Sequence, residues 1–123
     1  MVVVPEFLLK RIYQKGSLKK LENGASVVLK NVLGPGFISG FNYVKINGVV
    51  FEPKDVKFIT NGKELLGTEV SEENPVAFRL GQSGTLVMTG QDCVFEGVNK
   101  LVIEAMNPEA GKVQLNIEDT LIL

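Results

Sequence analysis

The chain of 123 residues contains no histidine, no tryptophan and a single cysteine. Each absence removes a chemistry. Histidine is the side chain whose ordinary pKa lies near neutrality, so without it no Ser-His-Asp or Cys-His system can be assembled from this chain. Zinc sites that use histidine are excluded, and one cysteine cannot build a four-cysteine site. Cys93 has no partner for an intrachain disulfide, which points weakly to a reducing, intracellular setting, read here as cytoplasmic. No apolar run approaches the roughly 18 residues that span a bilayer, so no membrane partner is expected. The start, Met1 to Glu6, has no basic region and too short an apolar run for a secretory signal.

What is present suits a globular domain. Hydrophobic residues make up 45% of the chain, too many for a disordered segment. At this length a folded chain buries roughly two-thirds of its surface, enough for one core, so residues 1–123 are read as a single domain. The net charge of -1 conceals an asymmetry. Residues 1–63 hold ten Lys/Arg and four Asp/Glu, whereas residues 64–123 hold three and ten. Strands from the two halves that interleave in one sheet would average this out. Segregated halves would favour head-to-tail contacts.

Period-two alternation recurs along the chain and helical periodicity is nearly absent. Three Asn-Gly pairs, at Asn23-Gly24, Asn47-Gly48 and Asn61-Gly62, lie between apolar runs and predict three hairpins. Phe41 to Ile46 reads as a strand with Val44 and Ile46 on one face and Tyr43 and Lys45 on the other. Val76, Phe78 and Leu80 alternate as an inward set, as do Leu86 and Met88. Val113 to Glu118 is the cleanest alternation and predicts an antiparallel strand with one solvated face. Ser71 to Pro75 is a polar loop in which Ser71 could cap one helical turn. Phe7 to Tyr13 is ambiguous. The pattern predicts an all-β, antiparallel β-sandwich or barrel-like fold of about eight or nine short strands.

Candidate chemistry is thin. Gly34 to Gly40 is glycine-rich, but it lacks the spacing and the following helix of a phosphate loop. Ser83 sits in Gly81-Gln82-Ser83-Gly84-Thr85, which fails as a nucleophile elbow at Thr85. Glu72, Glu73, Asp92 and Glu96 could pair as carboxylates, yet no spacing brings them together. Lys10, Arg11, Lys15, Lys19 and Lys20 form a basic stretch, better explained as edge-strand lysines than as a nucleic-acid groove. Cys93 reads as a buried small hydrophobe. No catalytic, metal or cofactor-binding residue follows from the sequence, and no cofactor is expected. Phe37, Phe41 and Tyr43 are the candidates for contact with a ligand or partner.

The apolar ends, Val2-Val3-Val4 and Thr120-Leu121-Ile122-Leu123, want partners. They either pair with each other in the sheet or bury at an interface, and at least a dimer is expected. Three stretches carry a resemblance: Lys15 to Lys20, Val44 to Gly48 with Pro53 to Val56, and Phe78 to Gly81. Together, over roughly residues 10–118, they resemble small β-rich microbial proteins of unassigned function. They are more distantly similar to the β subunit of C-glycoside deglycosidases. That resemblance implies a sandwich subunit without chemistry of its own, beside a larger metal-dependent α subunit with a barrel fold. No functional residue transfers with it. The function expected is therefore a non-catalytic accessory or assembly module, acting through contacts with its own copies or a larger protein. The alternative is a module that binds a small ligand or carbohydrate.

Overall fold

A computed structural model describes residues 4–34 and 36–122. Among these residues, eleven strands form three antiparallel sheets. The larger sheet runs β1 (Lys19–Leu21), β2 (Gly24–Lys30), β9 (Ser83–Thr89), β6 (Val56–Thr60), β7 (Lys63–Leu66). The second runs β11 (Gly111–Leu121), β10 (Gly97–Asn107), β4 (Gly40–Ile46), β5 (Val49–Phe51). The short strands β3 (Phe37–Ile38) and β8 (Val76–Ala77) pair with each other. The all-β expectation holds. The count exceeds nine because β1, β3, β5 and β8 have only two or three residues, too short to show alternation.

The two main sheets close on one core. Val27 of β2, Leu86 and Met88 of β9, and Val56 and Phe58 of β6 come from one sheet. Val44 and Ile46 of β4, and Leu101 and Ile103 of β10, come from the other. All are essentially inaccessible, as expected for the inward positions of period-two strands. Phe58 sits between Phe41 and Phe78, with ring centroids 5.4 and 5.7 Å away in tilted and edge-on geometry. Both main sheets draw strands from both halves of the chain, so folding interleaves the basic and acidic halves. Lys19 and Lys20 lie exposed on β1, an edge strand, where charge discourages pairing with another sheet.

All three predicted hairpins form. Asn47-Gly48 and Asn61-Gly62 make two-residue turns with both φ angles positive. The first hairpin differs: its turn is Glu22-Asn23, and Gly24 already belongs to β2. A Cβ at Gly24 would lie 2.0 Å from the Met88 carbonyl oxygen, so this glycine serves close strand approach rather than turn geometry.

Two local expectations fail. Leu80 points outward, 61% exposed, because β8 ends at Ala77 and the chain turns. Gln82 accepts the Arg79 N–H at 2.8 Å, and Gly81 adopts φ +85°. Ser71–Asn74 forms a tight turn closed by mutual backbone hydrogen bonds rather than a helical turn. The ambiguous Phe7–Tyr13 segment opens in the one-turn helix α1 (Glu6–Leu9), which continues into a 3-10 turn at Lys10–Ile12. No helix among the described residues is long and apolar enough to cross a membrane.

Of the apolar ends, Met1–Val3 and Leu123 lie outside the described residues. Val4 packs against the core, and Leu121 pairs with Gly97 in the β10–β11 hairpin.

Candidate functional site

An apolar cavity of about 340 Å³ opens at one end of the sandwich. Leu9 and Ile12 from the N-terminal turns, Ile103 and Ala105 from β10, and Val113 and Leu115 from β11 form much of its wall. Phe37, Phe41 and Phe78 complete it, and Leu33, Gly34 and Gly36 lie along the loop before β3.

Two asparagines build the rim. The Asn31 amide donates to the carbonyls of Gly34 and Phe78 at 2.5 and 2.6 Å. Its oxygen accepts the Leu33 and Gly34 N–H groups at 3.0 and 3.3 Å. Asn107 donates to the Phe37 carbonyl at 2.9 Å and accepts the N–H groups of Glu109 and Ala110 at 2.9 and 2.8 Å. Both loops therefore have their backbone groups paired by side chains. In the sequence these asparagines look like any turn residue, and nothing local marks them as hubs.

Of the three candidate contact residues, the fold brings two together. Phe37 is half exposed and Phe41 buried, and both line the cavity. Tyr43 does not join them. A bulge in the β4–β10 pairing, at Glu104/Ala105, sets Asn42 and Tyr43 away from the core while Phe41 and Val44 remain buried. On that outer face Gln114 donates to the Tyr43 hydroxyl at 3.0 Å and to Glu104 at 3.2 Å. Asn42 donates to the other Glu104 oxygen at 2.8 Å. The buried carboxylate is thus held by amide donors.

Two further hubs lie in the interior. Asp119 is almost fully buried and accepts the Tyr13 hydroxyl at 2.6 Å, the Gly16 N–H at 3.0 Å and the Leu18 N–H at 3.3 Å. It ties the segment before β1 to β11. Burial, reinforced by the Asp119 carboxylate, holds the Tyr13 phenol well above the ordinary tyrosine range. Asn99, wholly buried, accepts from Asn47 at 2.8 Å and from the Phe95 N–H at 3.1 Å, and donates to the Phe95 and Gly97 carbonyls. It anchors the loop before β10 to the β4–β5 turn. Cys93, in that loop, is buried, and burial pushes its thiol pKa up.

The other sequence candidates stay apart. Glu72 and Glu73 are exposed on the loop before β8, Asp92 and Glu96 on the loop before β10, and no group of three or more potential metal ligands converges among the described residues. Ser83 opens β9 on the surface. The basic stretch divides: Lys10 and Lys15 border a groove shared with Lys100 and Glu118, whereas Lys19 and Lys20 lie on β1.

Large hydrophobic side chains are also exposed at the opposite end of the β10–β11 hairpin from the cavity. Val98 and Ile122 are 52% and 85% exposed, and Phe95, in the loop entering β10, is 54% exposed. Val98 pairs with Thr120, so Val98 and Ile122 are diagonal neighbours on one face.

The sequence profile of a family described as hydroxymethylglutaryl-CoA reductase, N-terminal domain, matches residues 8–122. Among curated proteins, none matches the chain significantly. The family match overturns the resemblance to the β subunit of C-glycoside deglycosidases. The stretches that carried it are turn-and-strand signatures, which recur wherever hairpins are needed. One of them, Phe78 to Gly81, is not a strand at all.

Proposed function

The chain belongs to the hydroxymethylglutaryl-CoA reductase N-terminal domain family, and from that premise we propose that it is an assembly module for the catalytic body of such a reductase. It supplies sheet surface to that larger partner and no reacting group of its own. The observation that carries this reading is the patch of Phe95, Val98 and Ile122, apolar and more than half exposed at one end of the β10–β11 hairpin. Aromatic and aliphatic anchors of this kind mark protein contact surfaces. The interior supports the same reading: the most deeply buried polar side chains, Asp119 and Asn99, are engaged in holding loops and strands together.

Co-expression with the reductase catalytic body from the same genome, followed by affinity purification through a tag on this chain, tests it. A stoichiometric complex is expected, lost in the double variant Val98→Glu, Ile122→Glu. Wild-type protein that elutes without the catalytic body, or a complex the double variant retains, refutes the assignment. Sedimentation of the isolated chain then separates self-association from docking on the larger partner.

A further inference from the structure

We propose that the cavity at the end of the sandwich binds an aliphatic chain of roughly ten carbons that carries an uncharged hydrogen-bonding head group. This site is independent of the docking patch, which lies at the opposite end of the β10–β11 hairpin. Three observations lead to it.

The first is size. Protein interiors are packed like organic crystals, yet this space measures about 340 Å³. An apolar cavity of about 150 Å³ takes benzene, so by proportion this one has room for roughly fourteen heavy atoms, enough for a ten-carbon chain and its head group. It also falls within the range of small-molecule sites, about 300–1,000 Å³.

The second is lining. Leu9, Ile12, Ile103 and Val113 offer the interior no polar side-chain atom. A sugar or phosphate would lose its hydration there without replacement.

The third is the rim, which is already built. Asn31 uses both amide hydrogens and accepts two N–H groups, so its capacity is taken. Asn107 donates one amide hydrogen to Phe37, and among the described residues its second has no acceptor, so it can donate to an oxygen at the mouth. Glu109 also lines the rim and is exposed, and its charge disfavours a carboxylate head. A hydroxyl, ester or amide head fits both groups.

The test is a methyl NMR titration of the full chain with 1-decanol, decanoate and maltose. Saturable one-to-one shifts of the Ile103, Val113 and Leu115 methyls with decanol are expected, with decanoate at least tenfold weaker and maltose without effect. Ala105→Phe fills the cavity and should abolish binding. Because Ala105 is buried, Leu33→Asp at the more exposed mouth provides a second variant, expected to weaken decanol at least tenfold. Absence of saturable shifts overturns the proposal. So does equal binding by a folded variant, or saturation of the same methyls by maltose. Decanoate that binds as tightly as decanol overturns the head-group assignment.

Discussion

Replacing Asp119 by alanine should destabilise this fold more than most single substitutions, and the size follows from its partners. The carboxylate receives the Tyr13 hydroxyl and the N–H groups of Gly16 and Leu18. Gly16 lies near the surface and can turn to water. Tyr13 and Leu18 are buried, so alanine leaves two interior donors unpaired, at about 1–3 kcal/mol each. A loss of about 4 kcal/mol is expected, against a total of about 5–15 kcal/mol for a domain of this kind. Tyr13→Phe removes one charge-assisted bond while the backbone donors remain, and should cost about 1.5–3 kcal/mol. The double variant should lose less than the sum, since a phenylalanine in place of Tyr13 leaves no hydroxyl to orphan. Urea unfolding at pH 7, followed by circular dichroism, measures all three. A cost below about 1 kcal/mol for Asp119→Ala, or strict additivity, would show that the carboxylate is not the tie described above.

The same pair gives a pH dependence with a definite sign. The folded Tyr13 pKa is raised, so its contribution is fully present below the unfolded value of about 10. Above that pH the unfolded phenol ionises while the folded one keeps its proton. Stability should then fall by up to about 1.4 kcal/mol per pH unit until the folded group titrates. The difference between wild type and Tyr13→Phe isolates this from other alkaline titrations. A Cβ at Gly84 would lie 2.3 Å from the Phe58 ring, which is wedged between Phe41 and Phe78. Gly84→Ala should therefore cost about 1–3 kcal/mol by overpacking. Partial recovery in Gly84→Ala, Phe58→Leu, read by thermal unfolding, would confirm the cause. Cys93 is buried with a raised thiol pKa, so a disulfide reagent at pH 8 should modify it far more slowly than a free thiol. The rate should rise to the free-thiol value in denaturing urea. Rapid modification of the native protein would contradict its placement.

Fold class was legible because it rests on local chemistry. Asn-Gly pairs tolerate positive φ, and alternating side chains must divide between core and water. Those two rules located three hairpins and the inward sets of β4, β9 and β11. They failed where a neighbouring turn or a partner strand outvoted the alternation. Leu80 alternates correctly with Phe78, but Gln82 and Gly81 turn the chain before it can face the core. Gly24 looked like a turn glycine, and only the approach of β9 reveals why it lacks a side chain.

The candidate site was half legible for the same reason. Phe37 and Phe41 lie within and just after a glycine-rich loop of the sequence, and they do meet at one cavity. Tyr43 is close to them in sequence, but an extra residue in β4 itself, Asn42, turns Phe41 to the core and leaves Tyr43 on the outer face. Asp119 meets Tyr13 across most of the chain, and Asn99 meets Asn47 across two strands of one sheet. Such pairs leave no periodic trace.

What the amino-acid order determined alone was β structure, the hairpin positions and the absence of histidine chemistry. Each depends on residues close in sequence, or on composition. What tertiary structure decided was the mixing of the basic and acidic halves, the polar ties, the cavity and the exposed patch. Those arise from which strands become neighbours, and neighbours in a sandwich are set by packing across the whole chain rather than by any segment of it.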